Sequence, residues 1–111
     1  MENCIFCKII KGEIPSPRLY EDEQMIIIRD IQPKAKLHYL CIPKMHFALL
    51  SEMDEQGANA VKHAFQVIPT LEEQLGLQGG YRVIINQGEN GGQAVHHLHI
   101  HLLGGEKLAD F

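Results

Sequence analysis

The sequence predicts an α+β fold: an antiparallel sheet of about five strands, one short N-terminal helix and one long helix. Three observations carry that expectation. Short apolar runs rich in Ile, Val and Tyr follow one another along the chain, separated by polar or Gly-rich turns. A single segment sustains apolar residues at three- and four-residue steps. The run His96 to Leu103 alternates histidine with leucine or isoleucine, which is the period of a strand.

Each element follows in order. Asn3 is placed to cap a short helix from Cys4 to about Lys11, which Gly12 ends and which Pro15 and Pro17 keep from resuming. Strands are expected at Arg18 to Glu21, Met25 to Arg29 and His38 to Pro43. The long helix is expected over about Asp54 to Leu75, burying Val61, Phe65, Ile68, Leu71 and Leu75. Pro69 lies inside it and removes a backbone donor, so a kink or break is expected there, and Gly76 ends it. A fourth strand, Tyr81 to Asn86, precedes the Gly-rich loop Gln87 to Gly92, whose bare backbone N–H groups suit a phosphate. The histidine run is the fifth strand.

With 111 residues and no repeat, linker or low-complexity tract, the chain is read as one domain, residues 1–111. Its apolar and charged fractions, 45% and 22%, are those of a soluble globule rather than a disordered chain. A net charge of −4 argues against broad nucleic-acid or anionic-membrane binding, both of which need a cationic face. The start, MENCIFCKIIKGEIP, lacks a basic stretch followed by an apolar run, and the apolar stretches are too short to cross a bilayer. Cys4 and Cys7 form a C-x-x-C pair, and Cys41 makes an odd third, so a reduced, cytoplasmic protein is expected.

His97, His99 and His101 stand at alternate positions, so on a strand they share one face while Leu98, Ile100 and Leu102 share the other. Any one histidine is most often structural. Three in register on one face point to chemistry. Either the three supply ligands to one metal ion, or one attacks an electrophile while the others bind an anion and handle protons. The Gly-rich loop just upstream favours the second, because phosphorus chemistry accounts for both features.

HHLHIHLLGG resembles the H-x-H-x-H-x-x signature of the histidine triad family. The segments CIFCKIIKGEIPS, YEDEQMIIIRDIQPKAKLHYLCIPKMH and GYRVIINQGENGGQAVHHLHIHLLGG extend the likeness over nearly the whole chain, in the order of the branch called Hint. Gly104-Gly105 after the triad favours that branch over the fragile-histidine-triad dinucleoside polyphosphate hydrolases.

The resemblance implies a hydrolase that cleaves the P–N bond of purine nucleoside 5'-phosphoramidates. His99 is then the nucleophile, forming a nucleotidyl-histidine intermediate. His101 matches the position that contacts the phosphate and is a candidate to assist the leaving amine, and His38 matches the one that supports the nucleophile's ring. Phosphate donors are implied at Asn86 and along Gly92, Gln93, Ala94 and Val95. The nucleoside pocket carries over to Ile5, Phe6, Ile9, Ile14 and Ile28, with Arg29, Asp30 and Ile31 beside them. A carboxylate at Asp30 can accept hydrogen bonds from both ribose hydroxyls, although from the residues alone a turn role is the simpler reading. Some relatives complete a structural zinc, which here implies Cys4, Cys7, His46 and His97, a closed tetrahedral set. A homodimer through the long helix and an edge strand is also implied. Cys41 is expected in the core and His63 in solvent.

The chain departs from the pattern at Ala94, where many relatives carry a hydroxyl, and at His96, often Tyr. It also lacks the longer tail of some relatives, so substrate preferences tied to that tail are not expected to transfer. Two other readings remain open: dinucleoside polyphosphate hydrolysis or nucleotidyl transfer through the same His99, and a purine-nucleotide-binding module with eroded chemistry. A zinc-dependent hydrolase fits least well.

Overall fold

The structure, a computed structural model, describes residues 3–111. Helix α1 is Ile5–Ile10, followed by strands β1 (Tyr20–Glu21), β2 (Met25–Arg29) and β3 (Leu37–Pro43). Helix α2 (Glu55–Val67) passes through a 3-10 turn, Ile68–Leu71, into α3 (Glu72–Leu75), and strands β4 (Tyr81–Ile84) and β5 (Ile100–Gly104) complete the chain. The five strands form one antiparallel sheet in the order β1-β2-β3-β5-β4. This is the expected α+β architecture.

The strand alternation divides the sheet into two unlike faces. Met25, Ile27, Tyr39, Cys41, Ile100 and Leu102 pack on one side against Ala64, Ile68, Leu71 and Leu75 of the long helical segment. Ile26, Ile28, Leu40 and Ile42 turn to the other side, where α1 brings Phe6 and Ile9. His38 and His101 belong to this second face, because Leu40 pairs with His101 and His38 with Leu103 in the β3–β5 register.

Several boundaries differ from the sequence expectation. Cys4, not Asn3, caps α1: its Sγ accepts from the Cys7 N–H at 3.4 Å. Arg18 is not in β1. Its guanidinium instead donates to the carbonyls of Ile9 and Ile10 at 2.7 and 2.9 Å, satisfying orphan acceptors at the α1 C-terminus. Asn86 lies beyond β4, and β5 begins only at Ile100, so His97 and His99 sit in the segment leading into the strand.

The long helix is interrupted where Pro69 predicts, after a start capped by the Asp54 carboxylate on the Gly57 N–H. Its inward stripe is narrower than expected. Ala60 and Ala64 are buried, Val61 is only half-buried, and Phe65 is 46% exposed. Small residues let the helix lie close on the sheet and turn the bulky ones outward. His63 is half-buried rather than free in solvent: it donates from Nε2 to Asp22 Oδ2 at 2.7 Å, and Tyr20 Oη donates to the same oxygen at 2.9 Å. Burial alone would raise the Asp22 pKa, but hydrogen bonds from His63, Tyr20 and the Gln24 and Met25 amides outweigh it and bring it down to about 2. This cluster pins the β1–β2 turn to α2. Cys41 is fully buried as expected, its thiol 3.4 Å from Met25 Sδ. Among the described residues no helix is long and apolar enough to cross a membrane.

Candidate active site and metal centre

The second face of the sheet holds a cavity of 620 Å³ between α1, the β2–β3 turn and the loop after β4. A groove of equal volume elsewhere, lined by Gly79, Gly80, Arg82 and Lys107, carries no histidine, so size does not choose between them; chemistry does. The first cavity is lined by Ile5, Phe6, Ile9, Ile14 and Ile28, by Arg29, Asp30 and Ile31, and by His38, His99 and His101. Asn86, Gly92, Ala94 and Val95 complete the expected set. One expected member, Gln93, is absent. Its side chain turns inward, taking the Gly88 N–H at 2.9 Å and donating to the Ala48 carbonyl at 2.9 Å.

The loop offers fewer donors than the sequence suggests. Gly92 N–H is taken up by the Glu89 carbonyl and Gln93 N–H by the Gly88 carbonyl, each at 3.0 Å. The amides of Ala94 and Val95 have no partner among the described residues, which leaves them for an anion. Gly91 is required here, since a Cβ would collide with the Gln87 backbone.

Hydrogen bonds fix the state of each ring. His99 Nδ1 lies 2.7 Å from the His97 carbonyl, and a carbonyl can only accept, so Nδ1 carries a proton and the neutral ring has its lone pair on Nε2. That Nε2 has no partner among the described residues, and the ring lines the cavity. Phe6 packs edge-on against it, with centroids 5.0 Å apart. His38 is set in the opposite sense: its Nδ1 accepts from the Lys34 amide at 3.0 Å, so its proton is on Nε2. Nε2–H then donates to His101 Nδ1 at 2.9 Å, which leaves the His101 proton on Nε2. His101 Nε2 is buried with no partner, an unsatisfied donor on a ring facing the cavity. Burial, then the neighbouring His99 and His38, push the His101 pKa down to about 4, while burial lowers that of His38 against the pull of Asp30. Both rings are neutral at pH 7.

Asp30 sits at the cavity edge with both of its predicted roles available. Oδ1 accepts from the Gln32 amide at 2.8 Å in a turn, and Oδ2 faces the cavity side, 3.4 Å from His38 Nε2. Lys34 was missed by sequence reasoning; the signal that makes it matter is a backbone amide, which any residue but proline carries.

A second cluster lies behind the first. Cys4, Cys7, His46 and His97 bring one ligand atom each to within 4.8 Å of one another. Cys4 Sγ is 3.4 Å and Cys7 Sγ 3.6 Å from His97 Nδ1, and Cys7 Sγ is 3.3 Å from His46 Nδ1. The two Nδ1 atoms face each other at 3.0 Å. His97 Nε2 donates to the Pro43 carbonyl at 2.7 Å, so its Nδ1 presents a lone pair, and burial pushes its pKa down to about 4. Two sulfurs and two imidazole nitrogens converging at these spacings fit a tetrahedral zinc ion, with Pro43 as the carbonyl that orients a ligand ring. His96 is exposed beside this cluster and joins neither site.

The family model described as "Scavenger mRNA decapping enzyme C-term binding" matches residues 3–110. The structure of an HIT family hydrolase from Clostridium thermocellum has a TM-score of 0.93 and 46% identity, covering 100% of this chain and 97% of that one. A 14 kDa zinc-binding protein of Zea mays is 45% identical over 106 residues, 94% of this chain and 83% of its own length. A Zn-bound histidine triad family protein from Mycobacterium smegmatis has a TM-score of 0.80 and 34% identity over 97% of this chain and 81% of that one.

Proposed function

The chain belongs to the histidine triad (HIT) family, and from that premise we propose that it hydrolyses the P–N bond of purine nucleoside 5'-phosphoramidates through a nucleotidyl-His99 intermediate. One observation carries the reading: the His97 carbonyl holds the His99 proton on Nδ1 and leaves Nε2 as a bare nucleophile on the cavity wall.

In this reading the base enters the apolar end formed by Ile5, Phe6, Ile9, Ile14 and Ile28, flanked by Arg29 and Ile31. Asp30 accepts from the ribose hydroxyls. The phosphate meets the Ala94 and Val95 amides, the Asn86 side chain and His101 Nε2–H. His99 Nε2 attacks phosphorus, the P–N bond breaks, and the nitrogen takes a proton from solvent water and departs as the amine; the proton returns to solvent when water hydrolyses the intermediate. The imidazole is now cationic, and the His97 carbonyl opposite Nδ1–H stabilises that charge. Water then displaces the ring, releasing the nucleoside monophosphate and restoring the bare Nε2.

His101 acts here as a fixed hydrogen-bond donor. Protonating its Nδ1 would set two N–H groups against each other, because the Lys34 amide keeps the His38 proton on Nε2. His38 is therefore a positioning residue.

Cys4, Cys7, His46 and His97 are read as holding a structural zinc ion, supported by the donor geometry and by the zinc in the relatives' names. A closed set with no open position serves stability rather than catalysis. The exposed Phe65 on α2 and Val83 on the edge strand β4 suit a homodimer, as expected for the Hint branch. Phe65→Glu should convert a dimer to a monomer on size-exclusion chromatography. The free thiols fit a reducing cytoplasm.

The test mixes wild type and His99→Ala with an adenosine 5'-phosphoramidate and records intact mass. An adenylate adduct and amine release on wild type alone support the reading. No turnover by wild type, or equal turnover by the variant, removes it. Faster cleavage of a dinucleoside polyphosphate would reassign the leaving group.

A further inference from the structure

We propose that the Cys4, Cys7, His46 and His97 cluster is an effector site for the nucleotide cavity: metal bound there tightens nucleotide binding, and nucleotide tightens metal binding by the same factor. The proposal rests on the zinc and nucleotide readings above and adds a coupling that neither contains.

Three contacts join the two sites. Phe6 lies between the two cysteines in α1, lines the cavity, and packs edge-on against His97 at 5.9 Å and His99 at 5.0 Å. The His97 ring faces the metal cluster while its carbonyl holds the nucleophile's Nδ1–H at 2.7 Å. Ile5, Ala94 and Val95 line both the cavity and a 460 Å³ groove that opens onto Cys4 and His46. The same two loop amides left free for phosphate thus border the metal site.

The energetics favour coupling. Helix α1 has six residues, too few to hold a helix in water by backbone bonds alone. Packing, Arg18 at its C-terminus and the cysteines at its N-terminus fix it. Cys4 and Cys7 bound to one cation with His46 and His97 tie its first turn to the histidine segment. Without a cation those four groups can offer one another only thiol–imidazole hydrogen bonds, in which the thiol is a weak partner. The wall of the base pocket is then free to shift, and the His97 carbonyl with it. A ligand that needs the wall in place binds less tightly, and reciprocity follows from linkage.

The experiment measures zinc affinity of the zinc-loaded protein by competition with a chromogenic chelator, with and without saturating AMP. AMP affinity is measured in parallel on loaded and chelated protein. We expect about a tenfold change, equal in the two directions, inside the usual range for coupled sites. The imidazole 15N spectrum adds a readout that global stability does not move: His99 shows a single Nδ1–H tautomer when loaded and a mixture when chelated. Phe6→Leu, which removes one of the three contacts, should lower the factor, read within the variant as the ratio of AMP affinities of loaded and chelated protein. Equal zinc affinity with and without AMP, in protein that binds both, overturns the proposal, as does a full factor in Phe6→Leu. Failure to bind zinc overturns it through the metal reading, and failure to bind AMP through the nucleotide reading, so the three failures are distinct.

Discussion

Two clusters of histidine stand at one end of the sheet and differ in what holds the far nitrogen of each ring. In the cluster of Cys4, Cys7, His46 and His97, the far nitrogen of His97 donates to a carbonyl, so the near one is bare and faces sulfur and nitrogen. Asp30, His38 and His101 also lie within ligand distance of one another, which by spacing alone is a second candidate metal set. There the far nitrogen of His38 accepts from an amide, so the near one carries a proton and cannot ligate. A carbonyl in one place and an amide in the other separate a set that can ligate a metal ion from a hydrogen-bond relay. His99 follows the carbonyl rule too, but its unpartnered nitrogen faces a cavity, which suits the nucleophile proposed for it.

The contrast breaks first at the extremes. His99→Ala should lower turnover by at least about a thousandfold, the scale of losing a nucleophile, with zinc content unchanged. Cys7→Ser should do the reverse, losing zinc and its stabilisation, about 2.7 kcal/mol when free zinc exceeds Kd a hundredfold, read as a lower denaturation midpoint. Zinc retained in the second and lost in the first would show that the assignments are exchanged.

The relay is tested next. His101→Ala should lower kcat about a hundredfold, the scale of one lost donor to a charged oxygen. His101→Gln should recover part of it, because an amide N–H replaces a fixed donor but cannot replace a proton donor. No difference between Ala and Gln would argue for proton transfer.

Titration follows. His101 has its pKa lowered from 6.5 to about 4 in the folded protein, so the unfolded chain binds the proton first as pH falls. The contribution is fully present above about pH 6.5 and is lost as pH drops through about 4. Urea midpoints should therefore fall between pH 7 and pH 4, and by less in His101→Gln. An equal fall would place the pH dependence in other groups.

The smallest expected effect is at Ala94. Ala94→Ser adds a hydroxyl beside the free loop amides, worth about one net hydrogen bond, ~1 kcal/mol, or several-fold in rate. A large gain would mean that the amides contribute little.

Much of this was legible from residues taken singly. The alternation of His99 and His101 with Ile100 and Leu102 anticipates which side chains meet the cavity and which the helix, and Pro69 marks the break in the long helix. Every residue the resemblance assigned to the cavity lines it except Gln93, whose inward turn depends on the Ala48 carbonyl, distant in sequence. Phe65 has the spacing of a core residue and is exposed, because Ala60 and Ala64 face the sheet. His63 read as a solvent residue because its partner, Asp22, is in a turn 41 residues away.

By itself the sequence determined the residue types, the period that puts them on faces, and so the fold and the approximate location of the candidate site. Side-chain period is local and survives any tertiary arrangement. Only the tertiary structure decided what each imidazole can do. A ring nitrogen is a donor or an acceptor according to the group opposite its other nitrogen. Those groups, the carbonyls of Pro43 and His97 and the amide of Lys34, are backbone atoms that leave no mark on residue identity.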